Sequence, residues 1–469
     1  MPIRLTFLGA AENVTGARYL LEVGARRLLV DCGLYQERDL AARNWDPFPV
    51  PPATLDAVLL THAHLDHSGY LPRLVRDGFR GPIYCTQATA EIAQIALQDS
   101  ASLQVEDAKL KLKRHEREGR TPPHPEIPLY EAADVAACCA LVHPVTYNDP
   151  VTPVPGVEAT FQEVGHILGA AMIRLRMRTD GTERSLLFSG DIGRWNRPII
   201  RDPQLCPPSD YVVMESTYGD RLHEDPGSIA DLLCRTICAT RERGGNILIP
   251  SFAIERAQDV LYYLNELLQA QRIPHLLVFV DSPMAVSVSE VFEHHRELLD
   301  EDMIRWLDRG QSPFHFKGLR MVRSVEDSKA INHIKGTVVI IAGSGMCTGG
   351  RIKHHLVQNI ESPASSILFV GYQAGGTLGR AIVSGAPEVR ILGALHPVKA
   401  SVVELHGFSA HADRDELLRW AQPLAAAPPR RVFVNHGEPE VSRAFAATLH
   451  TQLGVTAEVA KFSAPVVLE

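Results

Sequence analysis

A chain of 469 residues is longer than one hydrophobic core sustains, so two domains are expected, and 45% hydrophobic with 22% charged residues excludes a disordered or fibrous protein. The net charge of −8 argues against a general polyanion binder, while leaving room for a local basic cleft. No apolar run approaches the roughly 20 residues of a membrane helix, the opening MPIRLTFLGA lacks a signal-peptide pattern, and the eight cysteines include no CxxC pair, so a cytoplasmic protein with reduced thiols and no membrane partner is expected.

From Arg4 to Tyr218 the pattern predicts mostly strands. RLTFLG comes first, followed by RYLLEV and RRLLVDCG around the Gly24-Ala25 turn, then DAVLLTH and PIYCT. A long helix is predicted over roughly Ala88 to Arg117, after which EATFQEV, AMIRLRM, RSLLFSGD and YVVMEST return to strand character. Beyond Tyr218 the style changes to alternating helix and strand, with NILIPSF, HLLVFVDS, GTVVIIAGSGM and SSILFVGYQ as the strands of a parallel sheet. From about Ser401 a strand (SVVELHGF), a helix, a strand (RRVFVNHG), a helix and a final strand are expected. The predicted segments are therefore 1–218, 219–400 and 401–469.

Polar residues gather at predicted strand ends: Asp31, the THAHLDHSG stretch with His62, His64, Asp66 and His67, then His166, Asp191, Glu215, His411 and His436. In layered α/β folds sites are built there. A single histidine in such a place is more often structural, and a strand-terminal carboxylate is commonly a turn residue. HxHxDH is different, because neutral imidazoles and carboxylates without thiolates suit zinc, and an irregular turn can aim all four side chains together.

These residues resemble the metallo-β-lactamase fold, specifically its β-CASP branch of nucleases, which includes the endonuclease subunit of the eukaryotic cleavage and polyadenylation specificity factor. The resemblance covers essentially the whole chain. It implies an α/β architecture, an αββα metallo-β-lactamase sandwich with an inserted parallel α/β β-CASP domain that covers the active site. It also implies two Zn2+ per chain: His62, His64 and His166 on one, Asp66, His67 and His436 on the other, and Asp191 bridging, with a hydroxide or water between them as nucleophile. Asp31 resembles the family's outer-shell aspartate. Glu215 matches motif A, His411 in FSAHAD motif B and His436 in VNHGE motif C, so Asp66, Glu215 and His411 form the implied catalytic set, with His411 as general acid and Glu215 its support. His396 and His406 match no motif.

PSFAIERAQ, DSPMA, GSGMCTGGR and GGTLGR look like the family's cleft-facing loops, which makes Arg256, Arg351 and Arg380 the expected RNA contacts. The basic run KLKLKRHEREGR, Lys109 to Arg120, reads as a solvated helix face sooner than an RNA track. The expected activity is a zinc ribonuclease acting on single-stranded RNA, chiefly as an endonuclease, leaving 5′-phosphate and 3′-hydroxyl ends, with a homodimer as a possible assembly. The alternatives are a 5′-exoribonuclease, a DNA or small-phosphodiester hydrolase, and, in another class, an inactive scaffold subunit. Every ligand position is filled, which disfavours the scaffold.

Overall fold

The computed structural model describes residues 2–118, 126–179, 181–223, 227–405 and 407–469. The chain divides into two compact units, the first comprising Met1–Asn196, Arg201–Leu222 and His411–Glu469, the second Arg197–Ile200 and His223–Ala410. Among the described residues no helix is long and apolar enough to cross a membrane, and all eight cysteines are free thiols.

The first unit contains two seven-stranded sheets. One runs in the order Pro465–Leu468, Ile3–Phe7, Tyr19–Val23, Arg26–Val30, Ala57–Leu59, Ile83–Thr86, Val142–Val145. The other runs Ala457–Val459, Arg431–Asn435, Tyr211–Glu215, Thr182–Phe188, Ala171–Thr179, Val157–Glu163, Pro150–Val154. Their facing sides share one core that includes Leu5, Leu21 and Leu28 from the first sheet with Phe161, Ile173, Leu186 and Phe433 from the second. In AMIRLRMRT the alternation is visible: Ile173, Leu175 and Met177 are buried while Arg176 and Arg178 face water. The helix Gln87–Glu118 matches the expected long helix.

The second unit is built on a six-stranded, all-parallel sheet in the order Leu319–Met321, Leu277–Asp281, Val338–Ala342, Ile247–Pro250, Ser366–Phe369, Ser401–Glu404. Central strands such as VVIIA are buried throughout, the pattern of a parallel sheet covered on both faces.

Two expectations change here. Ser401–Glu404, placed by the sequence at the start of the returning segment, pairs in parallel with Ser366–Phe369 and so is the edge strand of the second unit's sheet. A strand's sheet is decided by long-range pairing, which local pattern does not encode. The HxHxDH stretch is also more than a turn: Leu65–Ser68 forms one turn of helix carrying Asp66 and His67, with His64 at its N-cap.

Candidate metal centre

The site grows from the carboxy-terminal ends of parallel strands in the first unit. Arg26–Val30 ends at Asp31, and its parallel neighbour Ala57–Leu59 runs on into Thr61 and His62. In the other sheet Thr182–Phe188, Tyr211–Glu215 and Arg431–Asn435 are parallel neighbours, so Asp191, Glu215 and His436 emerge along one edge. Val157–Glu163 points the same way two strands over and delivers His166. His411 arrives just before the helix Arg414–Ala421.

Two donor sets result. His62, His64, His166 and Asp191 present ligand atoms all within 4.8 Å of one another, as do Asp66, His67 and His436. Asp191 reaches both: Oδ2 lies 3.4 Å from Nε2 of His62 and of His166, and Oδ1 lies 3.2 Å from His67 Nε2 and 3.6 Å from His436 Nε2. His64 Nδ1 is 3.1 Å from His62 Nε2 and 3.2 Å from His166 Nε2. One lone pair there cannot accept from both neighbours. The spacing instead approaches the edge of a tetrahedron around an ion with bonds of about 2.0–2.1 Å, which is about 3.3 Å. Asp191 Oδ1 is buried and makes no hydrogen bond, an arrangement that a cation would relieve. The residues present therefore fit divalent metal.

Electrostatics separates the two sets. Burial and the neighbouring imidazoles push His62, His64 and His166 down, His64 to about 3, so all three stay neutral lone-pair donors. At His67 and His436 burial also pushes downward, but the Asp191 carboxylate and its acidic neighbours outweigh it and raise both. Burial pushes Asp191 up, and the imidazoles of His436, His67 and His62 more than reverse this, holding it well below the usual carboxylate range.

An outer layer fixes these rings. Asp31 Oδ2 lies 2.8 Å from His67 Nδ1, and Oδ1 accepts from the Thr61 backbone N–H at 2.8 Å, so Asp31 ties one histidine to the strand bearing another. Asp31 and His436 adopt left-handed backbone with φ of 56° and 50°, strain tolerated here because the surrounding bonds fix both residues. Sequence reading missed Thr61, whose hydroxyl contacts His62 Nδ1 at 3.1 Å, and Thr217, whose hydroxyl lies 3.2 Å from His436 Nδ1. Adjacency to His62 and closeness to Glu215 were the available signals.

His411 Nδ1 lies 3.2 Å from Glu215 Oε1 and 3.9 Å from Asp191 Oδ2. Burial lowers its pKa, but Glu215 and Asp191 overcome that and raise it to about 9, the imidazolium state a proton donor requires. Glu215 is buried, with Oε1 accepting from Ile192 N–H at 2.6 Å and Oε2 from Thr217 N–H at 3.1 Å, so its carboxylate cannot swing away.

The three arginines expected on RNA lie in the second unit and differ in availability. Arg256 is buried, its guanidinium 5.6 Å from the Phe408 ring. Arg351 donates to buried Asp281 at 2.6 Å and to the Arg323 carbonyl at 2.6 Å, which anchors it in the fold. Arg380 is half-buried, its guanidinium 5.4 Å from the Tyr372 ring centroid. His396 pairs with Glu361 at 2.9 Å on the strand Ala394–Pro397, and His406 lies outside the described residues. In the basic run Lys109, Lys111 and Lys113 are exposed and Lys111 pairs with Asp107 at 2.7 Å, while Gly119 and Arg120 lie outside the described residues.

Three domain families match successive parts of the chain: the metallo-beta-lactamase superfamily over residues 16–216, the Beta-Casp domain over 257–382, and the Zn-dependent metallo-hydrolase RNA specificity domain over 395–460. A ribonuclease of Thermus thermophilus is 39% identical over 438 residues, covering 93% of this chain and 94% of that protein. The transcription termination factor FttA of Methanosarcina mazei is 30% identical across 97% of this chain and 70% of its own length, and that of Methanocaldococcus jannaschii is 32% identical across 95% and 69%. A crystal structure of a protein of unknown function from Enterococcus faecalis superposes with a TM-score of 0.54 at 12% identity, covering 100% of both chains, a likeness of fold alone. With the domain families in this order and this level of identity to a full-length relative, the chain belongs to the β-CASP branch of the metallo-β-lactamase superfamily of metallo-hydrolases.

Proposed function

We propose that this chain is a two-zinc ribonuclease, cutting RNA internally to leave 5′-phosphate and 3′-hydroxyl ends. The observation that carries the reading is Asp191, whose two oxygens face separate donor sets while the His411–Glu215 pair stands beside it. The matched RNA specificity domain and the Thermus thermophilus ribonuclease support RNA as substrate. His62, His64 and His166 would hold one ion, Asp66, His67 and His436 the other, and Asp191 both. When bound, the ions would supply positive charge for the attacked phosphate and lower the pKa of the attacking water.

The chain's own residues account for the rest. Asp31 and Thr61 hold the His67 and His62 rings in register, so the donor atoms converge without rearrangement. Glu215 Oε1 keeps a proton on His411 Nδ1 and fixes the ring plane, which leaves the Nε2 proton to be delivered to the departing ribose 3′ oxygen.

Digesting one RNA in circular and linear forms tests this, alongside elemental analysis of the purified protein. Expected are two zinc ions per chain and cleavage of the circle, both lost in Asp191→Ala because one carboxylate serves both ions. Decay of the linear form alone would make the enzyme an exoribonuclease, and an RNA left intact by the metal-loaded protein would overturn the reading.

A further inference from the structure

In the second unit, Val338–Ala342, Ile247–Pro250 and Ser366–Phe369 are adjacent parallel strands, and the loops leaving their carboxy-terminal ends lie along one edge of that sheet. Ligands of open α/β sheets bind along such edges. Two large apolar side chains in these loops are exposed, Phe252 at 40% and Tyr372 at 53%, and both are aromatic.

Their setting is built. A Cβ added to Gly345 would come within 2.8 Å of the Phe252 ring and one added to Gly371 within 3.4 Å, so the ring rests on bare backbone from two loops. Buried Gln373 clamps those loops together, its Nε2 donating to the Gly345 carbonyl at 3.0 Å and to the Gly371 carbonyl at 2.9 Å. Tyr372 follows Gly371 directly and lies beside the Arg380 guanidinium, 5.4 Å from its ring centroid. Of the three arginines in these loops, Arg256 is buried and Arg351 is paired with Asp281, so the cation beside the aromatic pair is half-buried Arg380. Exposed aromatic side chains seated on glycine backbone, with an arginine beside one of them, have the chemistry that stacks nucleic-acid bases while countering backbone charge.

We propose that Phe252 and Tyr372 form a base-stacking platform for single-stranded RNA, with Arg380 countering the phosphate charge beside it. The proposal rests on RNA being the substrate class, and it predicts tolerance of base identity, because every base offers a π-face.

Binding of a labelled, unstructured RNA oligonucleotide to the full zinc-loaded chain tests it, measured by fluorescence anisotropy in a His411→Ala background to suppress cleavage. Phe252→Ala and Tyr372→Ala are each expected to weaken binding by about tenfold or more. Tyr372→Phe should bind like the parent, whereas Tyr372→Leu, which keeps apolar area without a π-face, should bind like the alanine variant. Tyr372→Ala should leave the thermal midpoint unchanged, since that side chain is the more exposed, whereas Phe252→Ala, which removes packing on Gly345 and Gly371, should lower it slightly without unfolding the chain at the assay temperature. Affinities within twofold of the parent in both alanine variants, while the wild type still cuts RNA, would overturn the platform and leave the ribonuclease reading standing. A wild type that neither binds nor cuts RNA would overturn both. Unchanged RNA binding with an altered oligomeric state on sedimentation would overturn the proposal by making this patch a protein interface.

Discussion

At His411 a neighbouring carboxylate sets the chemistry of a buried group, and at Glu163 burial itself does. His411 belongs to two possible constellations, since its Nδ1 also converges with Asp191 and Glu215 in a group able to hold a metal. A ribose 3′ oxygen needs a proton as it departs and nitrophenolate does not, so the two roles separate by leaving group. His411→Ala is expected to keep two zinc ions, lose RNA cleavage by about 10²- to 10⁴-fold, and retain most turnover of a nitrophenyl phosphodiester. Loss of a zinc ion, or equal loss on both substrates, would remove it from the acid role. At Glu163 burial outweighs the lowering pull of the Gly165 backbone N–H, Arg201 and Tyr147 and raises the carboxyl to about 8 from 4.5. The folded chain therefore holds a proton that the unfolded chain releases between those values, and stability falls as pH rises through that window, by up to about 1.4 kcal/mol per pH unit. The Tyr147 hydroxyl donates to the Ala170 carbonyl at 2.8 Å and, more weakly, to Glu163 Oε1 at 3.4 Å. Glu163→Gln should flatten the fall in denaturant-measured stability between pH 5 and pH 8, and an unchanged slope would show that Glu163 is ionised.

At the scale of elements, the site depends on how closely its segments are stitched. Cys32 N–H donates to the His67 carbonyl at 2.7 Å, Gly33 N–H to Ala17 at 2.9 Å and Ala17 N–H to Asp66 at 2.8 Å, so the one-turn helix bearing Asp66 and His67 is laced to the end of a strand. A Cβ at Gly33 would stand 1.5 Å from the Asp66 carbonyl oxygen. Gly193 meets the carbonyl of Gly165, next to His166, at 1.7 Å in the same way. Gly33→Ala should displace that helix, lowering zinc content and the thermal midpoint together, at a cost of about 1–3 kcal/mol. Normal zinc content in a destabilised variant would show that the helix adapts. The donor residues were legible in sequence because HxHxDH concentrates them, and Asp191, Glu215 and His436 each end a readable apolar strand. Gly33 was not legible, because its role arises from Asp66, thirty-three residues distant, and the bond from Thr61 to Asp31, thirty residues away, was equally hidden although Thr61's adjacency to His62 was in view. Val142–Val145 and Pro150–Val154 escaped for a different reason: their prolines disguise strands at sheet edges, where a missing N–H is tolerated. Arg256 and Arg351 looked like phosphate contacts because their loops resemble the family's cleft-facing loops, whereas Arg256 is buried and Arg351 is paired with Asp281.

For the whole molecule, the chain's discontinuity decides which part can fold alone. His411–Glu469 supplies strands to both sheets of the first unit, and His411 and His436 with them. Residues 1–222 therefore lack an edge strand of one sheet and two strands of the other, and are expected to be insoluble or molten when produced alone. The second unit keeps its six parallel strands and its own core within residues 223–410, provided the cut falls after Ser401–Glu404. Ending at 400 would strip the edge strand from Ser366–Phe369. Such an excised piece lacks the stretch Arg197–Ile200, and with it the Asp300 N–H bond to the Ile199 carbonyl, the Ile200–Leu299 bridge and Arg197, whose Nη2 lies 2.5 Å from Asp259 Oδ2. Both side chains are buried, and removing one member of a buried pair typically costs about 3–5 kcal/mol through the charge left behind. The piece 223–410 is thus expected to fold cooperatively but with a low unfolding midpoint, and Asp259→Asn, which neutralises the buried carboxylate that has lost the Arg197 guanidinium, should raise that midpoint. In the full chain the same substitution should lower stability, because there it strands Arg197 instead. Opposite signs in the two contexts, read by circular dichroism during thermal unfolding, are the result expected of a unit stabilised by this pair, and equal signs would show that Arg197 and Asp259 contribute independently.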